Sequence, residues 1–316
     1  MAKPKIADLG SCNMDIYSWT EHLAEPGETI IGDRYWMGMG GKGANQAVAA
    51  SRLGADVTMI GRVGDDLFGR QMLETLQSYG VGTEYIQVEE GANSGIALVT
   101  VDKKPENVIV VVPGTNMRIS VSDVEAGADK IRESNILMMQ LEIPLDAIER
   151  AVDIANESGT ICILNPAPAR PLPERLIKKV HILTPNQNEA KVLTGLPTGT
   201  IPEAIIAGNA LLNMGAKQVV ITLGAQGALI VTIEGNIHVK GIFIKDCLDT
   251  TGAGDAFMGG LSVGLATGKT LEEAVRFANI IGAISTRKPG AMPAMPTLAE
   301  IESYILSDQT TRVDNN

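Results

Sequence analysis

Short runs of four or five apolar residues recur along this chain, and between them lie stretches whose apolar positions return every three or four residues. Residues 5–9 and 57–60 read as buried strands, and the Ala-rich stretch 44–53 between them has helical period. The second half repeats the rhythm, with strand-like runs at 136–139, 161–164, 182–184 and 219–223 separated by helical segments. Apolar runs with no alternation need both faces covered, so the pattern predicts an α/β fold: a three-layer α/β/α arrangement around a mostly parallel central sheet.

Two regions break the rhythm. Residues 16–36 and 94–112 carry alternating or β-branched runs, most clearly at 96–101 and 108–112, and are expected to pair as a small separate sheet. Such a sheet would form a lid over one end of the main body, and its exposed edges would invite a second subunit. No linker, repeat or low-complexity segment divides the chain. The reading is therefore one domain over residues 1–316, with a β-lid from about 16–36 and 94–112. The polar tail from Ser307 to Asn316 is expected to fray.

Composition narrows the function. The 316 residues are 45% hydrophobic but only 3% aromatic, and 34 are Gly, which suggests an aliphatic core with many tight backbone approaches. A net charge of −11 argues against a surface that tracks nucleic-acid phosphates. Cys12, Cys162 and Cys247 have no zinc or disulfide spacing, and no run of about 18 apolar residues occurs. A cytoplasmic protein with no membrane partner is expected. His22, His181 and His238 are scattered without a nucleophile motif, so a hydrolytic triad has no support.

The strongest chemical signal is 249–257, with Asp249, Thr251, Gly252, Ala253, Gly254 and Asp255 leading into a helical stretch at 258–266. Small residues at a helix start expose backbone N–H groups, and with the helix dipole they make an anion site. Asp255, in the first turn, can accept a proton from an attacking hydroxyl. The plainer reading, a capping Asp, is common at such starts.

A second glycine cluster, 38–43, also opens a helix and contains G-x-G-x-x-G. It does not follow the first core strand, as a dinucleotide fingerprint must, and Gly43 stands where a P-loop needs Ser or Thr. The alternative is a small polar ligand touching this backbone, with Lys42 and Asn45 as donors.

Residues 40–47 and 249–257 together resemble the two signature stretches of the ribokinase family of carbohydrate kinases. The resemblance extends through 10–15, 140–142, 165–169, 184–189 and 222–227, and spans roughly residues 5–305. It implies that Asn13, Asp15, Gly41, Lys42, Asn45 and Glu142 hold a sugar, with Asp255 as general base. Gly252, Ala253 and Gly254 would form an anion hole. Asn186 and Glu189 would organise Mg²⁺ and phosphate through water, while Thr222, Gly224, Gly227 and Asn279 would border ATP. Read without the family, Asn186 and Glu189 make a helix capping box. A monovalent cation such as K⁺ would sit near Asp249, Thr251, Ser285, Lys288 and Gly290. Here the match weakens, because Ala294 stands where the family commonly has Ser and Pro289 is unusual.

The implied activity is ATP-dependent phosphorylation of a pentose primary hydroxyl, D-ribose to D-ribose 5-phosphate, by a homodimer joined through the lid. Deoxyribose, fructose, a ketodeoxysugar acid or a nucleoside are the rival acceptors. A sensor that binds sugar and nucleotide without turnover is the rival of another class.

Overall fold

The computed structural model describes residues 3–104 and 107–313, and among these thirteen strands form two sheets. The strands are β1 (Lys5–Leu9), β2 (Asn13–Trp19), β3 (Arg34–Gly40), β4 (Asp56–Gly64), β5 (Val81–Glu89), β6 (Gly95–Val101) and β7 (Asn107–Val112). They continue with β8 (Ile136–Met139), β9 (Ile161–Leu164), β10 (Ile182–Leu183), β11 (Gln218–Thr222), β12 (Gly227–Thr232) and β13 (Gly235–Lys240).

The large sheet has the order β13-β12-β11-β10-β9-β8-β1-β4-β5 and is parallel from β11 to β5. Along β1 the pleat sends Ile6 into one apolar layer and Ala7 and Leu9 into the other. The first layer is covered by the helices Lys42–Arg52, Ala253–Ala266 and Leu271–Ser285, through Val48, Phe257, Leu261 and Ile281. The second is covered by Leu145–Ser158 and Ile201–Asn213, through Ile148, Val152 and Leu211. This is the three-layer α/β/α arrangement read from the sequence.

Glycine sets how closely the first layer packs. A Cβ on Gly259 would lie 2.6 Å from that of Ala49, and one on Gly264 would lie 2.9 Å from that of Ala274. The Ala253–Ala266 helix is thus wedged between its two neighbours.

From β1 the chain winds outward to β4 and β5, then returns to the other side through β8. The strand order therefore reverses between β1 and β8, which opens a crevice beyond their carboxyl ends, where ligands bind in such sheets. Gly10 and Ser11 leave β1 there, and Gln140 leaves β8.

The small sheet has the order β3-β2-β6-β7, with β2 and β6 parallel and both outer pairs antiparallel. Its boundaries differ from the sequence reading: β2 begins at Asn13, β3 runs to Gly40, and residues 20–33 carry no strand. The β12–β13 hairpin and the edge strand β5 were also not anticipated. The hairpin turns without an Asn-Gly or Asp-Gly signal, and β5 mixes Thr83, Glu84 and Gln87 among its apolar positions. The tail differs too, since a helix spans Leu298–Val313; residues 314–316 lie outside the described residues.

Candidate active site

Gly252 starts the Ala253–Ala266 helix with φ at 75°, a left-handed conformation that side chains disfavour. A Cβ there would also lie 2.8 Å from that of Ala291. No side chain caps this helix end. Of the three residues expected to form the anion hole, Ala253 already directs its N–H to Thr250 O at 3.2 Å. Gly254 has open space where a Cβ would stand, so its backbone faces the cleft unobstructed.

Asp255 follows in the first turn, buried. Its Oδ2 accepts from Asn45 Nδ2 at 2.9 Å and its Oδ1 from Gln46 Nε2 at 3.0 Å. Each carboxylate oxygen keeps a second lone pair that can take a proton. Burial pushes the carboxyl above its ordinary range, against the pull of Lys42, Gln46 and Asn45. Raising the basicity of a carboxylate in this way suits it to general-base work near neutral pH.

Around Asp255 the expected sugar residues converge. Gly41 (φ 89°) starts the Lys42–Arg52 helix beside Asn13, because a Cβ there would lie 2.8 Å from Asn13 N. Asn13 Oδ1 accepts from Asn116 Nδ2 at 2.7 Å, which leaves the Asn13 amide N–H groups as donors to a ligand. Glu142 Oε2 accepts from Ser11 Oγ and, at 3.1 Å, from Lys42 N. Asp15, on β2, lies against Gly40, where a Cβ would meet Asp15 Oδ2 at 2.1 Å. Burial, then Glu142 and Asp255, push the Asp15 carboxyl up to about 7, with Lys42 opposing. For Lys42, burial opposes the charge, but Asp255, Glu142, Glu189 and Asp15 outweigh it and hold the ammonium protonated.

Two pockets meet at this point. A cleft of about 220 Å³ is lined by Lys42, Asn186, Glu189, Gly252 and Asp255, among others. A largely apolar pocket of about 430 Å³ is lined by Gly224, Gly227, Ile242, Phe243, Ile244 and Asn279, among others. Thr222, Gly254 and Phe257 belong to both linings. Asn279 Nδ2 donates to Val239 O at 3.1 Å and Lys240 O at 3.3 Å, so its carbonyl oxygen is the group left for a ligand.

Asn186 and Glu189 do form the capping box of the Gln187–Thr194 helix: Asn186 Oδ1 accepts from Glu189 N, and Glu189 Oε2 from Asn186 N, both at 2.8 Å. They line the cleft as well. Among the described residues no cluster of three or more His, Cys, Asp or Glu exists. A divalent ion here would draw most of its shell from water and phosphate oxygens, which is how Mg²⁺ prefers to bind.

A monovalent cation was expected near Asp249 and the carbonyls around Thr251, Ser285, Lys288 and Gly290, and two of these segments meet at Asp249. Asp249 accepts from Thr251 N at 2.9 Å and Gly290 N at 2.8 Å, and these amides hold its carboxyl below the usual range despite burial. Ser285 Oγ donates to Gly282 O at 2.8 Å, and the Lys288 side chain turns outward to Glu300.

Sequence reasoning passed over Gln46, Asn116 and Asn165. Gln46 stood inside the 38–46 motif, and its bond to Asp255 gives it as strong a claim as Asn45. Asn165 Oδ1 accepts from Gln46 Nε2 at 3.3 Å and its Nδ2 donates to Thr184 O at 2.9 Å, joining two strand ends. Asn116 had no sequence signal, for it acts from a short 3₁₀ turn at Gly114–Arg118. The apolar wall at 242–244 was also missed, being irregular, with Ile242 and Ile244 half-buried and Phe243 86% exposed.

The chain as a whole is similar to known proteins. A ribokinase of Haemophilus influenzae is 39% identical over 297 residues, covering 94% of this chain and 97% of its own length. A deoxyribokinase of Salmonella typhi is 32% identical over 301 residues, 95% and 98% of the two chains. Among solved structures, Arabidopsis thaliana ribokinase complexed with ribose and ATP superimposes with a TM-score of 0.90 at 31% identity, covering 96% of this chain and 98% of its own. The family model described as pfkB family carbohydrate kinase matches residues 3–298. Since both glycine-started helices, the carboxylate between them and the two joined pockets all fall within that span, the chain belongs to the pfkB family of carbohydrate kinases.

Proposed function

We propose that this kinase transfers the γ-phosphoryl group of ATP to the primary hydroxyl of D-ribose, giving D-ribose 5-phosphate. The observation that carries the reading is the buried Asp255 carboxylate, held by Asn45 and Gln46 at the junction of a polar cleft and an apolar pocket. The sugar lies among Asn13, Asp15, Gly41, Lys42, Asn45 and Glu142. Asn13 donates to a hydroxyl and Asp15 accepts from one, which matches vicinal groups that do both. The adenine and ribose of ATP fill the apolar pocket between Gly224, Gly227 and Asn279, and its phosphates run past Thr222 toward Gly254.

Asp255 takes the hydroxyl proton as the oxygen attacks in line, and the amides of Gly252 and Gly254 face the charge that develops on the transferring group. Lys42 balances the carboxylates around it. Asn186 and Glu189 would hold the waters of a bound Mg²⁺, which would supply neutralisation of phosphate charge. K⁺ would act near Asp249 and the carbonyls around Thr251, Ser285, Lys288 and Gly290.

The small sheet serves as a lid, and closing it excludes water so that ATP is not hydrolysed. Its outer strands leave Tyr35, Met37, Val108, Ile109 and Val110 between 44% and 75% exposed. Apolar exposure of this extent on a sheet edge favours a second copy of the chain, and a homodimer through the lid follows. A cytoplasmic setting fits three free cysteines, and no helix among the described residues is long and apolar enough to cross a membrane.

The deoxyribokinase relative favours a second acceptor, 2-deoxyribose. Turnover measured against ribose, deoxyribose, fructose and nucleosides, with and without K⁺, separates the readings. The highest kcat/KM on ribose is expected; a preference for any other acceptor overturns the assignment of substrate, and no turnover on any of them overturns the activity.

A further inference from the structure

Asp8 stands in the middle of β1, fully buried, on the pleat face that carries Ile6 and looks toward the Lys42–Arg52 and Ala253–Ala266 helices. A carboxyl there is unexpected, since such a position in a central strand is ordinarily apolar. Two buried oxygens beside it, Asp8 Oδ1 and Gln140 Oε1, have no hydrogen-bond partner. They crowd one point: a Cβ built on Gly10 would lie 2.8 Å from the first and 2.2 Å from the second. Two acceptors facing the same space are costly, and one proton between them satisfies both.

The direction of the neighbouring amides is fixed by the same accounting. Gln140 Nε2 donates to Gln46 Oε1 at 2.8 Å and, more weakly, to Asp8 Oδ2 at 3.5 Å, and Gln46 Nε2 donates to Asp255 Oδ1 at 3.0 Å. Turning either amide over would set an oxygen against an oxygen, ending with Gln46 Oε1 against the Asp255 carboxylate.

We propose that Asp8 is a positioning residue for the base: it stands protonated, donates through Oδ1 to Gln140 Oε1 while its Oδ2 accepts from Gln140 Nε2, and this two-point grip fixes the amide that orients Gln46 toward Asp255. The surroundings agree. Burial raises the Asp8 carboxyl well above the ordinary range, Gln140 lowers it and Asp255 raises it again. The Lys42–Arg52 helix presents Gln46 here, with Lys42 turned to Asp255, Glu142, Glu189 and Asp15. The Ala253–Ala266 helix presents Asp255, and the loop after β1 presents Cys12, itself pushed up by burial. A neutral Asp8 places no second negative charge beside the base.

The inference rests on Asp255 as the base, so the test joins a kinetic readout to one that needs no substrate. In the full-length protein at pH 7, the infrared difference between wild type and Asp8→Asn should contain a protonated-carboxyl C=O band belonging to Asp8. Its absence refutes the proposal whatever the kinetics show. A band present in a protein that turns over no sugar refutes the kinase reading and leaves the protonated Asp8 standing.

Asp8→Asn supplies an N–H in place of the O–H and should keep kcat within about threefold, with the acid limb of its pH profile unmoved. Asp8→Leu breaks the chain and should lower kcat about tenfold at unchanged KM for ATP, moving the acid limb to higher pH as Asp255 loses an oriented donor. An ionised Asp8 predicts the reverse sign, because removing its charge in either variant would move the limb to lower pH. That shift overturns the proposal, and Asp8→Asn alone reveals it if Asp8→Leu does not fold.

Discussion

The two pockets that meet at Gly254 are built on opposite principles. On one side, Asp15, Lys42, Glu142, Glu189 and Asp255 are drawn together out of water, and every carboxylate whose position is fixed has amide or hydroxyl donors on it. On the other, Ile242, Phe243 and Ile244 offer shape and apolar area with few directed bonds. The contrast teaches where each kind of interaction pays. Proton transfer needs one carboxylate aimed within a fraction of an ångström, whereas a nucleobase needs only a flat, dry place to lie.

The comparison breaks most severely at the base. Asp255→Asn keeps the shape and removes the proton acceptor, so steady-state kinetics should show kcat lower by about 10²- to 10⁴-fold. ATP affinity by equilibrium titration should hardly change, because the proposed nucleotide site is the other pocket. Near-normal turnover would remove Asp255 from its role.

The next effect belongs to Asp15. In the proposed sugar site the ionised carboxylate is the stronger acceptor for a hydroxyl, and burial, Glu142 and Asp255 push this carboxyl up to about 7. The KM for sugar should therefore fall as pH rises toward that value, by up to about tenfold per unit below it. Stability carries the opposite sign. With the folded value raised from 3.8 to about 7, the native state holds a proton that the unfolded chain releases. Unfolding free energy from this group is then lost as pH rises through that window, and Asp15→Asn should flatten the dependence in urea titrations.

On the apolar side changes should be milder and fall on one substrate. Truncation by Phe243→Ala should raise the KM for ATP about fivefold, equivalent to about 1 kcal/mol, with kcat and the sugar KM unchanged. A drop in kcat instead would mean that the wall also orders the phosphates. Smallest in free energy is Val110→Lys on the small sheet: stability should move by no more than about 0.5 kcal/mol, while sedimentation should report monomer in place of the proposed dimer.

The same division explains what was legible in the sequence. Asp255, Lys42, Asn45 and Gly41 were readable because small residues and charges crowd into short stretches, where only a ligand or a tight helix start justifies them. The parallel strands were readable as apolar runs, since each is covered on both faces. Asn116 and Gln140 act across more than ninety residues of chain on Asn13 and Gln46, and no local pattern announces a partner so remote. The 242–244 wall left no trace either, because irregular backbone with three apolar side chains resembles any loop. Asp8 looked like one polar residue in a five-residue strand, and its isolation in the core became visible only with the helices above it in place.

The wedge formed by the Ala253–Ala266 helix has a consequence for how this molecule is made. With Gly259 against Ala49 and Gly264 against Ala274, that helix fills the centre of one apolar layer. On the ribosome, residues before Ala253 emerge with that layer covered, of its three helices, only by Lys42–Arg52 and with Asp255 still unsynthesised. They must wait for the Ala253–Ala266 and Leu271–Ser285 helices before that face can close. Prematurely terminated chains lacking those helices would expose the sheet and make clients for chaperones, not slow enzymes.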